Sequence, residues 1–219
     1  NWSMGPFETW DAIGVAASVE KMEAAGMKVP AIVKRVLTEG EGCFYKKEGV
    51  DRFYFDFGTG RYEPMARPET TILLPDLKEQ GRVVKDTFGA SLIDLGDGIA
   101  CFEIHTKMNT IDDDVISMVS DCVDEVEQNF DGMVISGHDE NFSLGANLGL
   151  VLMASKMGNW EVLDEMVRKM QQSHMRIKYA KKPVVGAPFG MALGGGCEIN
   201  LHCARIQPYA ELYMGLVEV

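Results

Sequence analysis

Met191–Ala192–Leu193–Gly194–Gly195–Gly196–Cys197–Glu198 is the stretch whose reading decides the fold. Three consecutive glycines cost backbone entropy, and a chain keeps them where its backbone must pass very close to something else. A helix-like run follows at once, from Glu198 to Ala204. Glycines opening a helix present free N–H groups and a positive dipole end, which can stabilise a developing oxyanion. Glu198 stands one turn in, where a carboxylate can act as acid or base beside that charge. The same octapeptide also fits a turn that only lets a helix pack tightly, and by itself it does not separate the two.

A second segment favours the chemical reading. Asn141–Phe142–Ser143–Leu144–Gly145–Ala146–Asn147–Leu148 follows an apolar strand candidate, Gly132 to Ser136, and precedes an apolar helical stretch, Leu148 to Met157. Together the two segments resemble the crotonase (enoyl-CoA hydratase/isomerase) superfamily. There, a Phe-Ser-x-Gly-Ala-Asp-Leu-like loop and a Gly-x-Ala-x-Gly-Gly-Gly-x-Glu-like loop each contribute one oxyanion N–H. Carried over residue by residue, the donors are the N–H groups of Ala146 and Gly195, with Ser143, Leu144, Gly145 and Gly194 beside the substrate. Asn147 stands where the family commonly has Asp, keeping the acceptor oxygen and losing the charge.

The family's hydratases use two glutamates. The first falls on Glu198, and the second lies about twenty residues later. Spacing favours Glu218; Glu211, in the strand-like run Tyr209–Met214, is the competitor. Hydration of an α,β-unsaturated thioester puts water on C3 and a proton on C2, while negative charge builds on the thioester oxygen. Two fixed donors stabilise that enolate. By the resemblance, Glu198 activates the water and Glu218 serves C2, with the roles open to sharing because coupled groups titrate as a pair. A pair of glutamates favours hydratase over isomerase.

The preceding sequence agrees. Ile99–His105 alternates apolar and polar residues as a half-buried strand does. Thr106–Lys107–Met108–Asn109–Thr110–Ile111–Asp112 resembles the family's post-strand turn, which touches CoA; this turn lacks the usual Arg-Pro, and Lys107 is either a contact for a CoA phosphate or a solvated lysine. Asp112–Asp113–Asp114 loads acid into a helical first turn, and Val115, Met118, Val119, Cys122, Val123 and Val126 form one apolar face. A further helix spans Asn159 to Tyr179, with Val162, Met166, Val167, Met170, His174 and Ile177 near one face; His174 reads as a packed or surface residue. Lys181–Lys182–Pro183 ends it and Val184–Ala187 starts a buried strand. The expected fold class is α/β, a crotonase-like ββα spiral over residues 89–219, incomplete at its C-terminal end.

Gly5–Pro6–Phe7–Glu8–Thr9–Trp10–Asp11–Ala12–Ile13–Gly14–Val15 resembles the C-terminal domain of 3-hydroxyacyl-CoA dehydrogenases, where a Gly-Pro-Phe-x-x-x-Asp-x-x-Gly pattern opens a helix. Amphipathic helices follow over Val15–Ala25 and Pro30–Glu39, and Gly40 to Lys47 resembles the lysine-containing tail of such enzymes. Residues 1–57 are therefore expected to be a small all-α segment, and 58–88, with Gly58, Gly60, Pro64, Pro68, Pro75 and Gly81, a linker. No Gly-x-Gly-x-x-Gly turn occurs, so NAD is expected to belong to a dehydrogenase domain outside this chain, and no cofactor to this one.

A net charge of −12 argues against nucleic-acid binding and requires a polyanionic CoA to meet a local basic patch or backbone N–H groups. There is no run of eighteen apolar residues for a membrane span. Cys43, Cys101, Cys122, Cys197 and Cys203 form no CxxC pair and read as reduced cytoplasmic thiols; Cys197, His202 and Cys203 lack a fourth metal ligand. Both ends read as cut points in a longer protein. The expectation is the hydratase part of a fused β-oxidation enzyme acting on acyl-CoA, as a trimer-type homo-oligomer or with a thiolase partner. The alternatives are an isomerase or acyl-CoA hydrolase on the same fold, a Clp-like peptidase using Ser143 with His138 or His202, and a non-enzymatic docking module.

Overall fold

The computed structural model describes residues 4–66, 68 and 70–216, in two compact units, Asn1–Thr71 and Ile72–Val219. The first unit holds α1 (Pro6–Ile13), α2 (Val15–Ala24), α3 (Ala31–Thr38), β1 (Tyr45–Glu48), β2 (Asp51–Asp56) and β3 (Arg61–Pro64). Pro6 opens α1, where its missing N–H costs nothing, and Glu8 reaches back to accept the Gly5 N–H at 2.8 Å. Asp11 accepts the N–H groups of Phe44 and Tyr45, both at 2.8 Å, and so ties α1 to the start of β1. Val15, Val19, Val33, Val36, Phe44 and Phe55 close the core.

The all-α expectation for residues 1–57 holds only as far as α3. β1, β2 and β3 form an antiparallel meander that also takes in part of the segment read as a linker. These strands carry Lys46, Lys47, Glu48, Asp51 and Arg52, so their mostly charged, exposed faces conceal the period-two pattern that a half-buried strand displays.

The second unit opens with α4 (Leu74–Glu79), β4 (Val83–Asp86), β5 (Ala90–Gly96) and β6 (Ile99–Ile104). A 3₁₀ turn (Lys107–Asn109), α5 (Asp113–Asn129), β7 (Gly132–Ser136), α6 (Leu148–Lys156) and α7 (Trp160–Lys178) follow. β8 (Val184–Gly186), β9 (Met191–Leu193), α8 (Gly195–Leu201), β10 (Arg205–Ile206) and β11 (Tyr213–Gly215) complete it. Six strands form one sheet in the order β10-β8-β7-β6-β5-β4, parallel from β10 to β6 and antiparallel beyond. β9 and β11 pair in parallel as a separate ribbon.

All six residues of the expected apolar face of α5 are buried in the main core. The acid in its first turn does specific work: Asp112 Oδ1 accepts the Asp114 and Val115 N–H groups, and Asp114 accepts the Gly89 N–H at 2.7 Å. β6 is more deeply set than its alternation suggests. Residues 100–104 are all buried, because Leu74 of α4 joins Ile93 and Cys101 in a second apolar layer. Glu103 is buried there with Lys78 as its ion-pair partner at 2.6 Å. Burial also pushes the Cys101 thiol up to about 12. The described cysteines are all free thiols.

Two expected helices differ in detail, one in its bounds and one in its burial. α8 begins inside the glycine run, at Gly195, and stops at Leu201. α7 buries only Ser173, His174 and Ile177 and leaves Val162 and Val167 exposed. α7 is held on α5 by Arg176, which donates to Glu127 at 2.9 Å; Glu127 also accepts the Lys181 N–H at 3.0 Å. The Arg176 guanidinium first, and then the Lys181 N–H, hold the Glu127 carboxyl at about 2. Ionised Glu127 is thus favoured in the folded chain, and its contribution is complete above the ordinary carboxylate value and lost as pH falls toward about 2. The melting temperature of Glu127→Gln is expected to lie below that of the parent at neutral pH, with the gap closing as pH falls from about 4.5 to about 2. A gap independent of pH would show that Glu127 acts only through packing.

Candidate active site

Three loops meet at the ends of β6, β7 and β8. The first is the turn 106–111, the second the loop 141–147 after β7, and the third the passage through β9 into α8. Asparagines join them. Asn109, left-handed at φ +51 as Asn tolerates, is buried and donates its side-chain N–H to the Asn141 carbonyl at 2.8 Å. Asn141 in turn accepts the Met191 N–H at 3.0 Å through Oδ1. Neither had a role from the sequence; the available signal was asparagine at irregular turn positions, a weak one.

The second and third loops run in parallel. Ser143 donates its N–H to Met191 O at 3.1 Å and accepts the Leu193 N–H at 2.9 Å. They then touch backbone to backbone. A Cβ on Gly145 would stand 2.8 Å from Leu193 O and 3.0 Å from Gly195 N, and one on Gly196 would stand 2.6 Å from Ser143 O. Gly145 also has φ +86. Only glycine permits this approach.

The contact brings together the peptides named from the sequence. The Gly145 carbonyl accepts the Ile111 N–H at 2.9 Å. In a trans peptide the carbonyl and the following N–H point in opposite directions, so the Ala146 N–H faces away from Ile111. The Gly194 carbonyl accepts the Cys197 and Glu198 N–H groups, which turns the Gly195 N–H outward from the start of α8. Neither the Ala146 nor the Gly195 N–H has an acceptor among the described residues. Glu198 is half-buried and lies three residues beyond Gly195, hence on the same face of the helix.

The remaining expected residues divide. Gly194 caps α8 with φ +50 and donates its N–H to Gly215 O at 3.0 Å. Leu144 is half-buried; Lys107 and Met108 are exposed on the 3₁₀ turn, Met108 at φ +59. Ser143, expected beside substrate, is instead wholly buried, and its Oγ accepts the Gly145 N–H at 3.1 Å. That hydroxyl shapes the loop. Among the described residues neither His138 nor His202 bonds to it, so the peptidase triad does not form; His202 Nδ1 bonds to the Glu198 carbonyl instead. Glu218 lies outside the described residues. Glu211 sits in the turn before β11, not within a strand. Asn147 caps α6 through Oδ1, accepting the Gly149 and Leu150 N–H groups, a task that needs no charge. α6 itself is apolar on every side and has no buried residue, with Leu148 at 75% exposure.

Burial, and then the neighbouring His202 ring, pushes His174 down to about 4, so it is neutral at physiological pH. Among the described residues no group of three or more His, Cys, Asp or Glu side chains is placed to hold a metal ion, and no helix is long and apolar enough to cross a membrane.

Comparison with known proteins returns one family model, enoyl-CoA hydratase/isomerase, over residues 95–207. A Bacillus subtilis (strain 168) protein named probable 3-hydroxyacyl-CoA dehydrogenase is 46% identical over 99% of this chain and 27% of its own length. A Rickettsia felis protein, provisionally named a fatty acid oxidation complex trifunctional enzyme, is 31% identical over 66% of this chain and 20% of its own. The chain thus spans about a quarter or less of these relatives. The crystal structure of an enoyl-CoA hydratase from Bacillus anthracis superposes with a TM-score of 0.54 at 21% identity, over 59% of this chain and 51% of that one, which establishes the shared fold.

The glycine contacts differ in what they touch. A Cβ on Gly196 would meet the Ser143 backbone, whereas one on Gly195 would meet the flexible end of the Met170 side chain. Gly196→Ala is therefore expected to cost about 1–3 kcal/mol and Gly195→Ala clearly less. Chemical denaturation of both variants checks this, and equal losses would mean that the two loops do not rest on each other's backbone.

Proposed function

The chain belongs to the enoyl-CoA hydratase/isomerase family through residues 95–207, and from that premise we propose that it adds water across the 2,3 double bond of an enoyl-CoA thioester. The observation that carries this reading is the pair of unpartnered N–H groups, Ala146 and Gly195, on touching loops, with Glu198 one turn along the same helix.

In this reading the thioester oxygen rests between the two N–H groups. Water attacks C3 and gives its proton to Glu198; the electron pair of the double bond moves toward the thioester oxygen as an enolate. C2 then takes a proton from Glu218, and the enolate collapses to the 3-hydroxyacyl product. No bond to CoA breaks and nothing is oxidised. Each fixed donor is worth roughly 3 kcal/mol of transition-state stabilisation in a dry site. Lys107 and Met108, exposed on the turn beside the Asn109–Asn141 link, are the proposed contacts for CoA. A local cation matters, because the overall charge is −12. The apolar α6 starts two residues after Ala146 and offers a surface for an acyl chain.

The relatives named for 3-hydroxyacyl-CoA dehydrogenase and trifunctional fatty acid oxidation support placing this hydratase beside a dehydrogenase in one longer chain. NAD would serve that dehydrogenase. No Gly-x-Gly-x-x-Gly turn is present here to seat its pyrophosphate, so no step of the hydration runs through it. Isomerisation of 3-enoyl-CoA on the same donors is the second reading, since it needs one carboxylate where hydration uses two.

In the full-length protein, crotonyl-CoA is expected to lose its conjugated-thioester absorbance, and Glu198→Gln and Glu218→Gln are each expected to lower kcat by about 10²–10⁴-fold. Hydration surviving either substitution would remove the glutamate pair from the mechanism. Turnover of 3-enoyl-CoA without hydration of crotonyl-CoA would establish the isomerase.

A further inference from the structure

α8 is only seven residues long, and a helix that short is not stable by propensity alone. Its placement must come from contacts: Ile199 is buried in the main core, Gly196 rests on the Ser143 backbone, and α7 meets the helix at its two ends. Met170, His174 and Ile177 lie on one face of α7 at the spacing of successive turns. Met170 places its methyl group against Gly195, where α8 begins. His174, 5% exposed, stacks on His202, where α8 ends, with ring centroids 4.8 Å apart and an interplanar angle of 19°.

His202 does more than cap the helix. Its Nδ1 lies 2.7 Å from the carbonyl oxygen of Glu198, which also accepts the His202 backbone N–H at 3.2 Å. A carbonyl can only accept, so His202 carries its proton on Nδ1. The same i to i−4 pattern recurs along α8 and just past its end: Asn200 donates its side-chain N–H to Gly196 O at 2.7 Å, and Cys203 Sγ donates to Ile199 O at 3.3 Å. The acceptor that the ring selects is the carbonyl of the residue whose side chain carries the proposed chemistry.

We infer that His202 and His174 are positioning residues for Glu198: the His202 ring holds the Glu198 carbonyl, and the His174 ring, carried on α7, holds His202. A rotation of α8 against α7, which would move Glu198 and the Gly195 N–H together relative to the Ala146 N–H, would have to break the stack, and the carbonyl bond ties the His202 ring to the turn that carries Glu198. The rings never touch substrate; they act through the backbone of α8. This rests on the reading of Glu198 as the acid/base, and it adds two residues that the oxyanion loops do not contain.

The test uses the full-length protein with His202→Phe, which keeps a ring and loses the Nδ1 proton, His174→Ala, which loses the stack, and His174→Phe, which keeps a ring face. His202→Phe and His174→Ala are expected to lower kcat about tenfold, as small misplacements of catalytic groups do. KM should stay within about twofold, and His174→Phe should recover most of kcat. Unchanged kcat in both ring-loss variants overturns the inference, as does a parallel loss in His174→Phe. A second readout does not need the reaction. Labelling with carbonyl-¹³C glutamate and ¹⁵N isoleucine reports Glu-Ile pairs, in this chain Glu103–Ile104 and Glu198–Ile199. The Glu198 carbonyl signal is expected to move in His174→Ala and to stay in His174→Phe, while Glu103 stays in both. A stationary Glu198 signal, or a wild-type His202 protonated on Nε2, overturns the inference without any assay. A wild type that hydrates nothing yet shows the expected signals overturns the hydratase reading and supports the ring-to-carbonyl link.

Discussion

Two loops touch backbone to backbone, and the placement of both N–H donors of the candidate site follows from that contact. Gly145 lies against Leu193 O and Gly195 N, and Gly196 lies against Ser143 O, at separations that no Cβ could share. The approach brings the peptide that carries the Ala146 N–H beside the one that carries the Gly195 N–H. Neither has an acceptor among the described residues, and each is aimed away from the side on which the neighbouring carbonyl is engaged, by Ile111 in one case and by Cys197 and Glu198 in the other. Unpartnered donors in a packed region are unfavourable unless something fills them. A developing oxyanion is a group that would do so, which is why this contact and not any single side chain anchors the functional reading.

The loops hold this arrangement because the scaffold gives them little freedom. They leave the ends of neighbouring parallel strands, β6, β7 and β8, whose register is set by a core buried beneath α5. Asn109 and Asn141 then cross-link three segments that are distant in sequence, and the buried Ser143 hydroxyl shapes the 143–145 turn. Around the third loop the restraint comes from α7. Arg176 and Glu127 fix that helix on α5, Met170 meets the first residue of α8, and His174 meets the last ring beyond it. A seven-residue helix that carries both an N–H donor and a carboxylate is thereby met by α7 at each end, in addition to the Gly145 and Ser143 backbone at its start.

The elements that stand where the pattern places them are those marked by a long apolar run or stripe between turn residues. The α5 stripe, the strand Gly132–Ser136 and the helices following Asn147 and Asn159 all lie where the pattern put them, within a residue or two. The misreadings have distinct causes. β1, β2 and β3 were concealed by charge on their exposed faces. β6 alternates in sequence and yet is buried on both faces from Ala100 onward, because α4 packs on the side that alternation assigns to water and Lys78 neutralises Glu103 there. Glu211 looked strand-borne because Tyr213, Met214 and their neighbours are strand formers, but pairing with β9 begins only at Tyr213.

The sequence by itself determined the chemistry on offer: two glycine-bearing loops, a glutamate one turn into a helix, and a family whose members use such parts. Glycine was legible because its reason for being there is local, the absence of a side chain. The tertiary structure decided which groups stand together. Only it showed that Ser143 is a loop-shaping hydroxyl, that Asn109 and Asn141 hold three loops, and that His174 and His202 stack behind Glu198. Each of those roles is a contact between residues far apart along the chain, made through an asparagine, a serine or a histidine whose type alone suits many environments. Local pattern carries no record of such a partner; the partner is chosen when the sheet and its helices pack.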